Sequence, residues 1–138
     1  MSWIVAGLIA GVGAFFADFV MWGKVFTKGM EAFSTPTPPE QMKTFMGPAM
    51  IKAAALALVF GLLLACSYQR LKGGLWVQGG GPLAGMEFAT LLWLSTIALS
   101  TIGSGVWYDK VRPLLKATFW AWLVRMNVAG LIVGFLVK

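Results

Sequence analysis

The chain has 138 residues, of which 59% are hydrophobic and only 12% are charged, and its mean hydropathy is +0.80. Soluble domains carry about 25% charged residues, so this composition excludes a soluble catalytic module and predicts an integral membrane protein. The sequence contains no histidine and a single cysteine, Cys66. The usual metal and haem ligand sets and an internal disulfide are therefore missing, and we predict no cofactor.

Four apolar segments are long enough to cross the hydrocarbon core, which takes about 20 helical residues. They cover about residues 3–24, 48–68, 87–108 and 114–137. The predicted fold is all-α: one domain over residues 1–138, with four transmembrane helices in an antiparallel bundle. The first segment has no basic residue before it and is too long for a signal peptide, so we interpret it as a retained span.

The basic residues that give the net charge of +6 cluster at the ends of the spans. Those at the first and third connections are Lys24, Lys28, Lys43, Lys110, Arg112 and Lys116, and those at the other side are Arg70, Lys72 and Lys138. The positive-inside rule then places the first and third connections in the cytoplasm and both termini outside. The surplus charge is interpreted as a topology signal and an attraction to anionic lipid, and not as a nucleic-acid surface.

The first span carries small residues on one helical face. Gly7, Gly11 and Ala14 follow a spacing that continues onto Asp18, so a neighbouring helix can approach this face closely. Asp18 is either a packed, paired carboxylate or a proton or cation site, and both interpretations stay open.

The first loop and second span combine prolines with a ridge of small side chains. Pro39 can open a short amphipathic surface helix with Met42, Phe45 and Met46, which Gly47–Pro48 should end. The ridge that follows is formed by Ala49, Ala53, Ala57, Gly61 and Ala65. Lys52 either extends to the headgroups or pairs with Asp18, whose predicted depth is similar.

The second loop, rich in glycine, lacks the spacing of a phosphate-binding loop, and we expect a mobile outer connection with Trp76 in the membrane interface. In the third span the hydroxyl residues Thr96, Ser100 and Ser104 recur at four-residue spacing. This stripe either packs against a neighbouring helix or lines a solute path.

The last span contains Arg125 and Asn127 in an apolar run. An arginine at mid-membrane costs about 2.5 to 3.5 kcal/mol, so it requires a partner. Asp18 lies at a compatible depth, and a pair or triad of Asp18, Lys52 and Arg125 is the leading site hypothesis, with Thr96 and Ser100 as supplementary partners. Residues two apart on a helix point about 200° apart. Asn127, with Gly130 and Gly134, is thus predicted to meet a second surface, and Gly7, Gly11 and Ala14 form another candidate association face.

Several short segments carry a resemblance to a known family. The first span ends in Trp-Gly-Lys-Val-Phe-Thr-Lys-Gly-Met, the second begins near Met-Lys, the third contains Leu-Leu-Trp-Leu, and a basic turn precedes the glycine-bearing last span. In these the chain resembles a bacterial family of small four-helix membrane proteins catalogued as domain of unknown function 1761. It departs from that family in its Pro-rich first loop and in Arg125. The resemblance implies a bacterial cytoplasmic membrane location and no particular activity.

The sequence favours a small membrane protein that acts through helix–helix and lipid contacts, as an accessory or structural subunit of a membrane complex or as a homo-oligomer. The alternative is a small-solute or proton-coupled transporter built on Asp18, Arg125 and the hydroxyl stripe. A membrane enzyme is disfavoured because no nucleophile has a convincing base beside it.

Overall fold

The computed structural model describes residues 1–26, 39–107 and 109–137, which form helices joined by short connections. The α-helices are α1 (Trp3–Val20), α2 (Pro39–Leu71), α3 (Pro82–Trp93), α4 (Leu99–Trp107) and α5 (Arg112–Leu136). A π-helical turn, Met21–Val25, extends α1, and a second one, Leu94–Ala98, joins α3 to α4. Short 3₁₀ turns, Lys72–Gly74 and Asp109–Val111, follow α2 and precede α5.

Four helical segments of the described chain are long and apolar enough to cross a membrane. They are Trp3–Val25, Met46–Gly74, Pro82–Val106 and Arg112–Leu136. Large apolar side chains are exposed on the outside of every one of these segments, which is the surface that lipid tails require. The predicted all-helical integral membrane protein with four spans is therefore confirmed.

Two predicted boundaries are wrong. Helix α2 runs without a break through Gly47–Pro48, so this pair does not end a separate surface helix. Helix α3 begins at Pro82 and not near residue 87. Proline suits the first helical turn, where its missing N–H is not needed, and Gly81 before it has a φ of 93°, which favours glycine. The side chains of Met42 and Phe45 and the Pro-rich residues 27–38 lie outside the described part.

Helices α1 and α2 pack so closely along their small residues that their backbones are in contact. A Cβ atom added at Gly11 would lie 2.6 Å from the Ala57 carbonyl oxygen, and one at Gly7 would lie 2.8 Å from the Leu62 Cα atom. Gly61 sits between the two glycines of α1 in the same way. Glycine is therefore needed at these positions because any side chain would push the helices apart.

Helix α3 packs on α5 through the same kind of close contact between small residues. An added Cβ at Gly85 would overlap the Gly130 carbonyl oxygen and lie 2.8 Å from the Gly134 backbone. Gly81 and Gly85, as well as Gly130 and Gly134, are separated by four residues, which repeats the small-xxx-small spacing of close transmembrane helix pairs. The early start of α3 matters because it brings Gly85 inside the helix.

The connection between α2 and α3 is tied to the helices. The Glu87 carboxylate accepts hydrogen bonds from the backbone N–H groups of Trp76 and Val77, both at 2.8 Å. The side chain of Leu75 is buried, and the Gln78 amide donates to the Leu75 carbonyl oxygen at 2.8 Å. These bonds hold the connection against α3, and Trp76 itself is 83% exposed, as an interfacial residue would be.

Candidate functional site

An ion pair joins the first and last spans. The Arg125 guanidinium on α5 forms a salt bridge with the Asp18 carboxylate on α1, with 2.7 Å between Nη1 and Oδ2. The two side chains are 13% and 26% exposed, respectively. The contact that the sequence predicts between these two residues is therefore present. A charge-assisted bond of this length compensates much of the cost of placing each ion among apolar helices.

Two aromatic rings complete the surroundings of Arg125. Its Cζ atom lies 4.6 Å from the centroid of the Phe60 ring on α2 and 4.4 Å from that of the Trp122 ring on α5. The rings contact each other edge to face, with 6.0 Å between their centroids. Because cation–π attraction is strongest away from water, these rings stabilise the cation where lipid cannot. One arginine thereby connects α1, α2 and α5.

The remaining hydrogen-bonding capacity of the pair is small. The Arg125 Nε atom is buried and has no hydrogen-bond partner among the described residues. Asp18 is the more exposed member of the pair. The arrangement can neutralise two charges and fix three helices, and only the carboxylate side retains partial access for a proton or a polar solute.

Lys52 does not belong to this cluster. It is exposed on α2, beside a shallow surface groove with Pro48 and Leu56, and it forms no salt bridge within the described residues. Of the predicted pair or triad, the structure therefore contains the pair of Asp18 and Arg125, without Lys52. Lys52 and Asp18 have a similar predicted depth, but the α2 face that carries Lys52 turns away from α1.

The hydroxyl stripe is also separate from the ion pair. Thr96 and Ser100 are exposed and Ser104 is only half-buried. The Thr96 hydroxyl donates to the Leu92 carbonyl oxygen of its own helical segment, beside the π-helical turn Leu94–Ala98. The prediction that Thr96 and Ser100 are supplementary partners of Arg125 is wrong, because both side chains are exposed and the Thr96 hydroxyl is bonded within its own helical segment.

Asn127 has a partner within the chain. Its Oδ1 atom accepts a hydrogen bond from the Thr90 hydroxyl on α3 at 3.1 Å, and its Nδ2 atom donates to the Leu123 carbonyl oxygen at 3.0 Å. Arg125 and Asn127 do point to different neighbours, as the helical geometry requires. The inference that Asn127 needs a surface outside the chain is corrected, since α1 and α3 lie on two sides of α5.

The other candidate association residues are used in the same way. Gly7, Gly11, Ala14, Gly130 and Gly134 are all buried in the chain. The two glycines of α1 pack on α2, and the two of α5 pack on α3. The small-residue faces are thus occupied within the chain and offer no open surface to a second copy.

Several side chains around these contacts were not selected from the sequence. Trp122 lies three residues before Arg125, a spacing that shares a helical face and was a usable signal. Phe60 and Thr90 come from other helices, and no local pattern indicates their register. Trp93 donates from Nε1 to the Phe119 carbonyl oxygen at 3.2 Å, and the two rings lie 4.6 Å apart.

A second feature of the last span is a groove of about 650 Å³ between α4 and α5. It is lined by Thr101, Ile102, Gly105, Val106, Arg112, Leu115, Lys116, Phe119 and Trp120. Most of this lining is apolar, and both basic residues belong to the beginning of α5. Neither Asp18 nor Arg125 lines it.

The comparisons with known proteins give no family for the chain. No protein-family model matches it, and neither a curated protein nor a solved structure does. The resemblance to the family catalogued as domain of unknown function 1761 therefore stays a prediction. Among the described residues, no group of three or more His, Cys, Asp or Glu side chains could hold a metal ion.

Proposed function

We propose that the protein acts through helix–helix and lipid contacts, as an accessory or structural subunit of a membrane complex or as a homo-oligomer. One observation carries this proposal: Asp18 and Arg125 form a salt bridge with each other inside the chain, next to two aromatic rings. What the described spans present outward is apolar surface. A protein of this kind influences its neighbours by the shape and chemistry of that surface.

The proposed arrangement is an antiparallel bundle with the first and third connections in the cytoplasm of a bacterium. The contact pairs support it, because Gly7 and Gly11 of α1 meet later and earlier residues of α2, respectively, and the glycines of α3 and α5 pair in the same reversed order. In the proposed arrangement, which the Asp18–Arg125 contact between α1 and α5 also supports, the ends of α1 and α4 would lie together. The basic residues of the first and third connections would then share one side.

Gentle extraction followed by native mass measurement tests the proposed function. The expected result is one species whose mass is a fixed multiple of 14.9 kDa, or the chain with one partner in constant stoichiometry. Extraction in a harsh detergent provides the monomer reference. A chain that remains monomeric over a wide range of concentrations under gentle conditions would contradict the proposal.

A second candidate is a proton-coupled transporter, and the partial exposure of Asp18 favours it. At 26% exposure the carboxylate is more open than its arginine partner, as a site that exchanges a proton should be. Uptake into sealed vesicles should then depend on a proton gradient and be lost in Asp18→Asn. Glu40→Gln, at an exposed carboxylate in the first turn of α2, is the control and should retain uptake.

A further inference from the structure

The groove between α4 and α5, called the slot below, has a contact between the two spans near each end. At one end the Trp93 and Phe119 rings lie 4.6 Å apart. At the other end Arg112 donates from Nε to the Gly105 carbonyl oxygen at 3.1 Å. The wall on α5 extends from Arg112 to Trp120, which is about 12 Å along a helix axis. The volume of about 650 Å³ is in the range of small-molecule sites.

The slot combines an apolar wall with positive charge on the first two turns of α5. Ile102 and Val106 are 57% and 67% exposed, so lipid tails have direct access to the wall. Lys116 is exposed and lines the slot, and no salt bridge of Lys116 is present among the described residues. The adjoining sequence from Asp109 to Lys116 contains three basic residues and one acidic residue, so its net charge is positive.

We propose that this slot binds one phospholipid with an anionic headgroup, with an acyl chain against Ile102 and Val106 and the phosphate at Lys116. This inference rests on the proposed role in lipid contacts and adds the identity of the lipid class. Basic residues where transmembrane helices meet the interface attract anionic headgroups, at about 1 kcal/mol for each charge.

Native mass spectrometry of the full chain in detergent tests the proposal, with phosphatidylglycerol and phosphatidylcholine of identical acyl chains as probes. The wild-type chain should bind phosphatidylglycerol about fivefold more tightly or better, the ratio that about 1 kcal/mol gives. Lys116→Gln should remove most of this preference. Lys24→Gln is the matched control, because Lys24 is an exposed lysine at the end of another span and lies outside the slot.

A second variant tests the acyl chain. Gly105→Leu adds a side chain toward the slot, where the nearest atom to an added Cβ is Leu115 Cδ1 at 3.8 Å, and should weaken both lipids equally. Equal binding of the two lipids by the wild type, or equal loss of preference in Lys116→Gln and Lys24→Gln, would overturn the proposal. So would displacement of the lipid by inorganic phosphate alone. These outcomes concern lipid affinity only, so they are distinguishable from a failure of the oligomer measurement.

Discussion

The two halves of the third span contact the last helix in opposite ways. Helix α3 meets α5 at backbone distance, since Gly85 lies against Gly130 and Gly134. Beyond the π-helical turn Leu94–Ala98, an added Cβ at Gly105 of α4 would meet only Leu115 Cδ1 of α5, at 3.8 Å, and the slot opens. The same pair of spans thus provides a rigid contact at one end and a lipid-accessible surface at the other. The α3 half of the third span therefore stabilises the helix pair, and the α4 half leaves a surface open to lipid.

Both contacts of the third span depend on the position of α5, which the Asp18–Arg125 ion pair holds against α1. We expect Asp18→Asn to destabilise the protein by about 3 kcal/mol, because removing one partner leaves the other charge uncompensated. The double variant with Arg125→Ala should be no less stable than Asp18→Asn, since both remove one interaction. Thermal unfolding in detergent, followed by near-ultraviolet circular dichroism, measures both. Strictly additive losses would show that the pair does not hold α5.

The closeness of α3 to α5 is tested by one substitution at two glycines of the same span. Gly85→Ala should cost about 2 kcal/mol, because its methyl group overlaps the α5 backbone. Gly105→Ala should be neutral or stabilise by about 0.5 kcal/mol, because it adds helix propensity and its methyl group makes only an ordinary contact with Leu115 Cδ1 at 3.8 Å. The same unfolding measurement applies. Equal effects of the two substitutions would mean that the halves are packed alike.

The spans and the Asp18–Arg125 contact could be predicted from the sequence because they follow from strong, local physical requirements. A run of about 20 apolar residues leaves few alternatives to a membrane helix. A buried arginine needs an anion, and Asp18 is the acidic residue at a suitable depth. Lys52 could not be excluded in the same way. Residue counts give its depth in the membrane, but the direction of its side chain depends on how α2 is rotated against α1.

The slot and the partner of Asn127 could not be predicted for a related reason. The slot lies beyond the π-helical turn Leu94–Ala98 and the partner of Asn127 lies before it, in α3, and both contacts depend on how the third span is rotated against α5. A π turn adds a residue to the helical repeat, so four-residue spacing does not keep Thr96 and Ser100 on one face. No single residue type marks that turn in the sequence.

The boundary between the closed and open halves is the contact of Trp93 with Phe119. Trp93→Phe removes the Nε1 hydrogen bond to the Phe119 carbonyl oxygen and part of a buried ring, so we expect a loss of about 1 kcal/mol. Trp120→Phe is the control, because Trp120 lines the slot and is 53% exposed. Its unfolding temperature should be nearly unchanged. A larger loss of stability in Trp120→Phe would contradict this boundary, because a ring that lines the slot would then stabilise the two spans more than the Trp93 contact does.

The smallest expected effect separates the two threonines on either side of that boundary. Thr90→Val removes the hydrogen bond to Asn127 between α3 and α5, and interhelical bonds in membranes contribute about 0.6 kcal/mol on average. Thr96→Val removes only a bond to the backbone of its own span, so its stability should be close to that of the wild type. Replicate unfolding curves of both variants resolve this difference. A greater loss at Thr96 would mean that its hydroxyl serves a contact between helices, which is the role that the open half of the span should lack.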